Sequence, residues 1–203
     1  STCEIIYRLF SDQLPLNKEI ATNLYVGILT DTGRFKYSNT SSQALKIASE
    51  LLSFDVDVGF ISLNLDDTIP LAVLQFIGKL IPLMQVNLEF KYSYLMLPLT
   101  GWQGKVSLEE MKQATSIVRD DFLKKIPGVD FAVLCKEEDS GYIDVSLRTR
   151  VSNSINLSKL GEYLGGGGHT NAAGGAVRGK EVLEAQQIVH GLIADHYQEL
   201  KSP

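Results

Sequence analysis

Gly165-Gly166-Gly167-Gly168-His169-Thr170-Asn171-Ala172-Ala173-Gly174-Gly175 is the stretch from which the rest of this 203-residue chain is read. Consecutive glycines carry no Cβ atoms, so the backbone can turn left-handed and other groups can approach its N–H groups closely. Such N–H groups, when they point together, make an anion-binding nest. His169 follows directly and adds a donor or proton carrier that titrates near neutral pH. The small run Asn171 to Gly175 lets a further element pack tightly against the loop. The alternative is a flexible linker, but linkers are rich in Ser, Pro and charge rather than in Ala, Gly and a histidine. The stretch reads as a phosphate cradle with one polar tip.

Upstream of the glycines, Leu157 to Leu164 has a helical pattern, and Tyr142 to Arg148 alternates like a strand. Period two carries Ser146, Arg148 and Arg150 on one face. Two arginines on one side could grip a phosphate bidentately; a solvated strand face is the equal alternative. Val129 to Cys135 reads as a second strand, separated from the first by an acidic turn over Lys136 to Gly141. Leu108 to Ile126 reads as one or two helices, stopped by Pro127-Gly128. Trp102 lies between glycines, as a rim aromatic or as core, and Val86 to Phe90 and Tyr92 to Leu97 alternate like strands. Downstream, Val182 to Leu200 is a strong helix with Leu183, Ile188, Val189, Leu192 and Ile193 as its apolar positions. His190 and His196 on that helix are six apart, share no face, and read as surface residues.

Before Gln85 the pattern is helical. Ile5, Ile6, Leu9 and Phe10 recur at helical spacing; Asn17 caps a helix carrying Ile20, Leu24 and Ile28; Ser41 or Ser42 opens another with Ala44, Leu45, Ile47, Ala48, Leu51 and Leu52. Phe60 to Leu65 makes a turn or two more, and Pro70 starts a helix through Leu74, Ile77 and Leu80. Asp31, in Thr30-Asp31-Thr32-Gly33, sits between two hydroxyls at the end of an apolar helix, where a carboxylate can ligate a hard cation. A local turn, with Asp and Thr bonding their own backbone, is the stronger alternative there. The pair Asp66-Asp67 reads as a helix start or turn rather than a metal pair, because adjacent side chains point apart.

A net charge of −5 and 21% charged residues announce neither DNA nor membrane binding, yet leave room for a local basic site. Two distant cysteines, Cys3 and Cys135, form neither a zinc motif nor a disulfide framework. With no long apolar run and no signal pattern, a soluble cytoplasmic protein is expected.

Gly166-Gly167-Gly168-His169 with Asn171-Ala172-Ala173-Gly174 resembles the GGGH signature of the DHH-associated domain in DHH-family phosphoesterases. The segment Leu24 to Phe35 resembles the last metal motif of the DHH domain, so the resemblance covers nearly the whole chain. Order and separation look like the subgroup of bacterial nanoRNases that are also pAp phosphatases, and like the related cyclic-dinucleotide phosphodiesterases. The resemblance implies an α/β chain: the C-terminal part of a parallel-sheet DHH domain over 1–68, a helical connector over 69–85, and a smaller mixed α/β DHH-associated domain over 86–203. It also implies two manganese ions, with Asp31 as a metal ligand, and Arg148, Gly166, Gly167, Gly168 and His169 binding substrate. The implied activity is hydrolysis of short oligoribonucleotides or pAp; alternatives are a cyclic-di-AMP or pApA phosphodiesterase, or a non-catalytic nucleotide-binding module. The expected partner is short RNA or a nucleotide, with a homodimer among the options. The Asp-His-His triplet that names the family is absent, and all three histidines follow Asp31. The chain is therefore expected to be a piece of a longer hydrolase, inert alone, since each such metal needs about six ligands.

Overall fold

The computed structural model describes residues 1–201 except 12, 14, 38, 66–67 and 151–154. Asp66 and Asp67 thus lie outside the described residues. The chain divides into two compact units, Ser1–Ile69 and Pro70–Pro203.

The regular elements among the described residues of the first unit are helices: α1 (Thr2–Phe10), α2 (Lys18–Asp31), α3 (Ser42–Leu52) and α4 (Val58–Leu65). Capping explains two of the starts. Asn17 Oδ1 accepts from the Ile20 N–H at 2.9 Å, and Ser41 Oγ from the Ala44 N–H at 3.0 Å, each satisfying a donor the helix leaves orphaned. Leu24, Ile28, Ile47 and Leu51 meet in a core with Ala21, Ala44, Ala48 and Ile61. Ile20, Leu45 and Leu52, expected on the same apolar faces, are exposed instead. The 3.6-residue period carries them past the edge of the buried stripe.

The second unit begins with α5 (Leu71–Leu80) and a 3-10 turn, Ile81–Leu83. Then follow β1 (Gln85–Asn87), β2 (Tyr92–Leu97), α6 (Leu99–Trp102) and α7 (Leu108–Ile117). A π-turn, Val118–Phe122, and a 3-10 turn, Leu123–Lys125, lead to β3 (Phe131–Asp139) and β4 (Tyr142–Thr149). The unit ends with α8 (Leu157–Tyr163), β5 (Gly167–His169), β6 (Ala172–Arg178) and α9 (Val182–Leu200). Among the described residues six strands make one mixed sheet in the order β1-β2-β3-β4-β6-β5, antiparallel except for the parallel pair β2–β3. On one face Val133, Cys135, Val145 and Leu147 pack with Leu160 of α8 and with Ala185, Val189 and Ile193 of α9. Each large apolar side chain buried there contributes roughly 1.5–3 kcal/mol. Toward the other face, Ser93 of β2 donates to the Leu123 carbonyl at 2.8 Å, so the turns after α7 lie against that strand.

Several expectations are corrected. The acidic turn is only Ser140-Gly141, because β3 runs on through Lys136 to Asp139. Lys136 lies against Glu138 and, at 3.0 Å, against Asp144 of β4, so charges that look like a turn are neutralised across strands. The first short strand stops at Asn87, whose Oδ1 accepts from the Phe90 N–H and bends the chain. Trp102 is core: it is buried and its Nε1 donates to the Glu137 carbonyl at 2.8 Å. Leu183 is 71% exposed, and Ala185 rather than Ile188 faces the core.

His190 is also corrected, from surface residue to half-buried partner of a tyrosine. Its Nδ1 is hydrogen-bonded to the hydroxyl of the fully buried Tyr92, and Tyr94 meets its ring edge-on at 4.7 Å. Burial pushes the imidazole below its ordinary value and so favours its neutral form in the fold. The unfolded chain binds a proton there below pH about 6.5, and stability rises with pH wherever the unfolded state holds more protons. The contribution is therefore complete above that value and is lost as pH falls below it through the lowered folded value. Urea midpoints are expected to drop between pH 7.5 and 5.5, and His190→Gln to flatten that slope.

Candidate functional site

The glycine stretch is a hairpin, and helix chemistry sets its start. Gly165, at φ +69°, ends α8; its N–H donates to the Glu162 carbonyl and that of Gly166 to the Gly161 carbonyl, both at 2.9 Å. This is the Schellman pattern, in which a left-handed glycine satisfies the last carbonyls of a helix. The amide of Gly166 is thus engaged with the helix, and what this glycine provides is closeness. A Cβ there would lie 2.2 Å from the Gly174 carbonyl oxygen. Gly167, by contrast, faces open space.

From Gly167 the chain pairs with β6 through a two-residue turn, Thr170-Asn171. The tip of the hairpin is tied at two points. The Leu157 N–H donates to the Thr170 carbonyl at 3.0 Å, and the Thr149 N–H to the Asn171 carbonyl at 3.1 Å. Register then assembles the site. Arg148 pairs with Ala172, and Ala172 pairs with His169, so the three form one row across β4, β6 and β5. Directly opposed residues share a face, and two strand spacings put Arg148 and His169 about 10 Å apart at Cα. The floor between and beside them is small: Ala172, Gly174 and Gly167. This half of the face is open, since Asp144, Ser146 and Arg148 are each half-buried whereas Val145 and Leu147 opposite are buried. His169 is exposed.

One charged group beside Arg148 is not visible in the sequence. Asp120, on the π-turn Val118–Phe122, lies 3.9 Å by Oδ1 from Nε of Arg148 and 3.7 Å from Nζ of Lys124. Arg119 grips the same carboxylate with both Nε (3.2 Å) and Nη2 (2.5 Å). Burial alone would raise its pKa, but the Arg119 bond and the three neighbouring cations outweigh that and hold it below the usual carboxylate range. Three cations around one carboxylate leave a net positive corner beside the open face. The only signal in the sequence is a charged Arg119-Asp120-Asp121 inside an otherwise helical pattern, and a π-turn leaves no periodicity of its own to detect.

Arg150 lies just past β4 and is exposed. Its N–H donates to the Asp130 carbonyl at 2.8 Å. A cavity of about 800 Å³ lies at the other end of β4, lined by Leu99, Glu137, Gly141, Glu181 and Leu183 among others. It contains none of the candidate residues. A phosphate, being charged and small, is better served by the open, positive sheet face than by that larger groove.

Asp31 belongs to the first unit. It closes α2, its Oδ2 lies 3.3 Å from Nδ2 of Asn39 and 3.3 Å from the Ser1 nitrogen, and it is about half exposed. Behind it, buried Thr32 donates to the Ile28 carbonyl at 2.7 Å and accepts from the Phe35 N–H. Gly33, Arg34 and Phe35 are consecutively left-handed, at φ +55°, +59° and +60°. For non-glycine residues that geometry costs roughly 1–2 kcal/mol each, and such strain clusters at functional turns. Among the described residues, however, no group of three or more His, Cys, Asp or Glu could hold a metal ion. A dinuclear manganese centre therefore does not fit the described residues of this chain by themselves.

The DHHA1 domain family matches residues 91–195, which takes in β2 to β6, the hairpin and the row just described. The chain is 27% identical over 171 residues to the bifunctional oligoribonuclease and PAP phosphatase NrnA of Thermus thermophilus, covering 84% of this chain and 49% of that protein. It is 30% identical over 193 residues to a probable enzyme of the same name from Streptococcus mutans, covering 94% and 56%. The crystal structure of an exopolyphosphatase-related protein from Bacteroides fragilis superposes with a TM-score of 0.85 at 26% identity, covering all of this chain and 58% of that one. The chain spans about half the length of the curated relatives it matches. No helix among the described residues is long and apolar enough to cross a membrane. With more than half of its residues inside the matched model, the chain belongs to the DHHA1 domain family.

Proposed function

We propose that the second unit binds the phosphate of a short oligoribonucleotide or of pAp on its open sheet face, as part of a phosphoesterase that hydrolyses such molecules. The observation that carries this reading is the row Arg148–Ala172–His169, a cation and an imidazole flanking a floor of small residues. Arg148 would meet the phosphate with paired N–H donors, His169 would add a donor from the opposite side, and Gly167 and Gly168 would let the ligand approach the backbone. The relatives named as oligoribonuclease and PAP phosphatase support this class of substrate for the whole protein.

Manganese belongs to the same reading as the cofactor of the whole protein, with Asp31 as one ligand. The 203-residue chain is expected to bind pAp with or without manganese and to hydrolyse none. Calorimetric titration of pAp checks this directly. His169→Ala should weaken binding about tenfold, the worth of one hydrogen bond to a charged group, while leaving the melting temperature unchanged because the side chain is exposed. Manganese-dependent turnover by this chain would show that its residues do build a metal site. Equal affinity in the His169 variant would remove that residue from the ligand.

A further inference from the structure

We propose that Asp120 is a positioning residue for Arg148: from the π-turn it holds the guanidinium at the angle at which it meets a phosphate on the open sheet face. The inference rests on the phosphate-binding reading above. The Asp120 carboxylate is itself held in place. Arg119, buried at 8% exposure, holds both of its oxygens, so Asp120 cannot swing with solvent. Its Oδ1 then stands 3.9 Å from Arg148 Nε, while Nη1 of the same guanidinium donates to the Leu147 carbonyl at 2.8 Å. Arg148 is registered between Ala132 on β3 and Ala172 on β6, side chains too short to steer a long flexible arginine. The π-turn sets a carboxylate within ion-pair range of it. Such i→i+5 turns are rare and occur often at functional positions.

Electrostatics taken alone argues the other way. A negative charge beside a phosphate-binding arginine lowers the local potential and weakens anion binding. A carboxylate kept there is justified by orientation, since a misplaced donor loses most of its value. The two roles predict opposite signs, which makes them separable.

The test titrates pAp into the 203-residue chain and into Asp120→Asn and Asp120→Glu, and follows the Arg148 Nε–H signal by NMR, assigned by its loss in Arg148→Lys. Positioning predicts that Asp120→Asn weakens pAp binding about tenfold and speeds exchange of the Arg148 Nε–H. Asp120→Glu keeps the charge but moves it by one methylene, and should also weaken binding. Equal or tighter binding by Asp120→Asn, or an unchanged Nε–H signal, would overturn the proposal. If Asp120→Asn melts below the assay temperature because Arg119 loses its partner, Asp120→Glu decides. If the unmodified chain fails to bind pAp, the phosphate-binding reading falls, and the Nε–H signal alone still decides whether Asp120 orients Arg148.

Discussion

Gly166→Ala is expected to destabilise the second unit by about 3 kcal/mol, far more than one methyl on an exposed residue would suggest. The new Cβ would stand 2.2 Å from the Gly174 carbonyl oxygen and 2.6 Å from Gly175 Cα. Both are backbone, so neither can rotate away. Relief requires the hairpin to peel from the end of α8, which breaks the Gly166-to-Gly161 hydrogen bond and exposes the Leu164 packing surface. Gly167→Ala is the control, because a Cβ there meets nothing within 4 Å. Guanidinium unfolding followed by circular dichroism measures both. Similar midpoints for the two variants would mean that the glycines are not there for close packing.

Arg148→Ala should weaken pAp binding by about 10- to 100-fold, the range expected for losing charged hydrogen bonds to a phosphate. In the whole protein the loss should fall mainly on KM, because the arginine would hold the phosphate in ground and transition states alike. The fold should survive, since Arg148 is half-buried on the open face and its strand neighbours on that side are alanines. Asp120 would remain paired with Arg119. A loss confined to kcat, with affinity unchanged, would move Arg148 out of substrate binding.

Much of this architecture is legible in the sequence where local chemistry is strong. Asn17 and Ser41 announce helix starts because their side chains bond the first turn, and the structure shows those bonds. The alternation in Tyr142 to Thr149 shows which side chains share a face, since one face is buried and the other is not. What is not legible depends on partners distant in the chain. Lys136 to Asp139 looks like a turn until Asp144 is seen across from Lys136. Glycines have little tendency to form strands, so a GGH strand is visible only once β6 pairs with it. His190 looks like any histidine on a helix until Tyr92 is placed beneath it. Asp120 is hidden for a different reason: an i→i+5 turn shifts the helical phase by one residue, so periodicity points its side chain the wrong way.

The single parallel pair in the sheet divides the unit by the length of chain that each pairing must close. Tyr92 meets Phe131 only after a loop of roughly forty residues folds back, whereas His169 meets Ala172 across a two-residue turn. Closing the longer loop costs ~2 kcal/mol more in chain entropy on a logarithmic scale. The hairpin that sets His169 beside Ala172 is therefore a local closure, Arg148 reaches the same alanine across a loop of intermediate length, and the largest closure entropy falls on the β2–β3 pair, where no candidate ligand-binding residue resides.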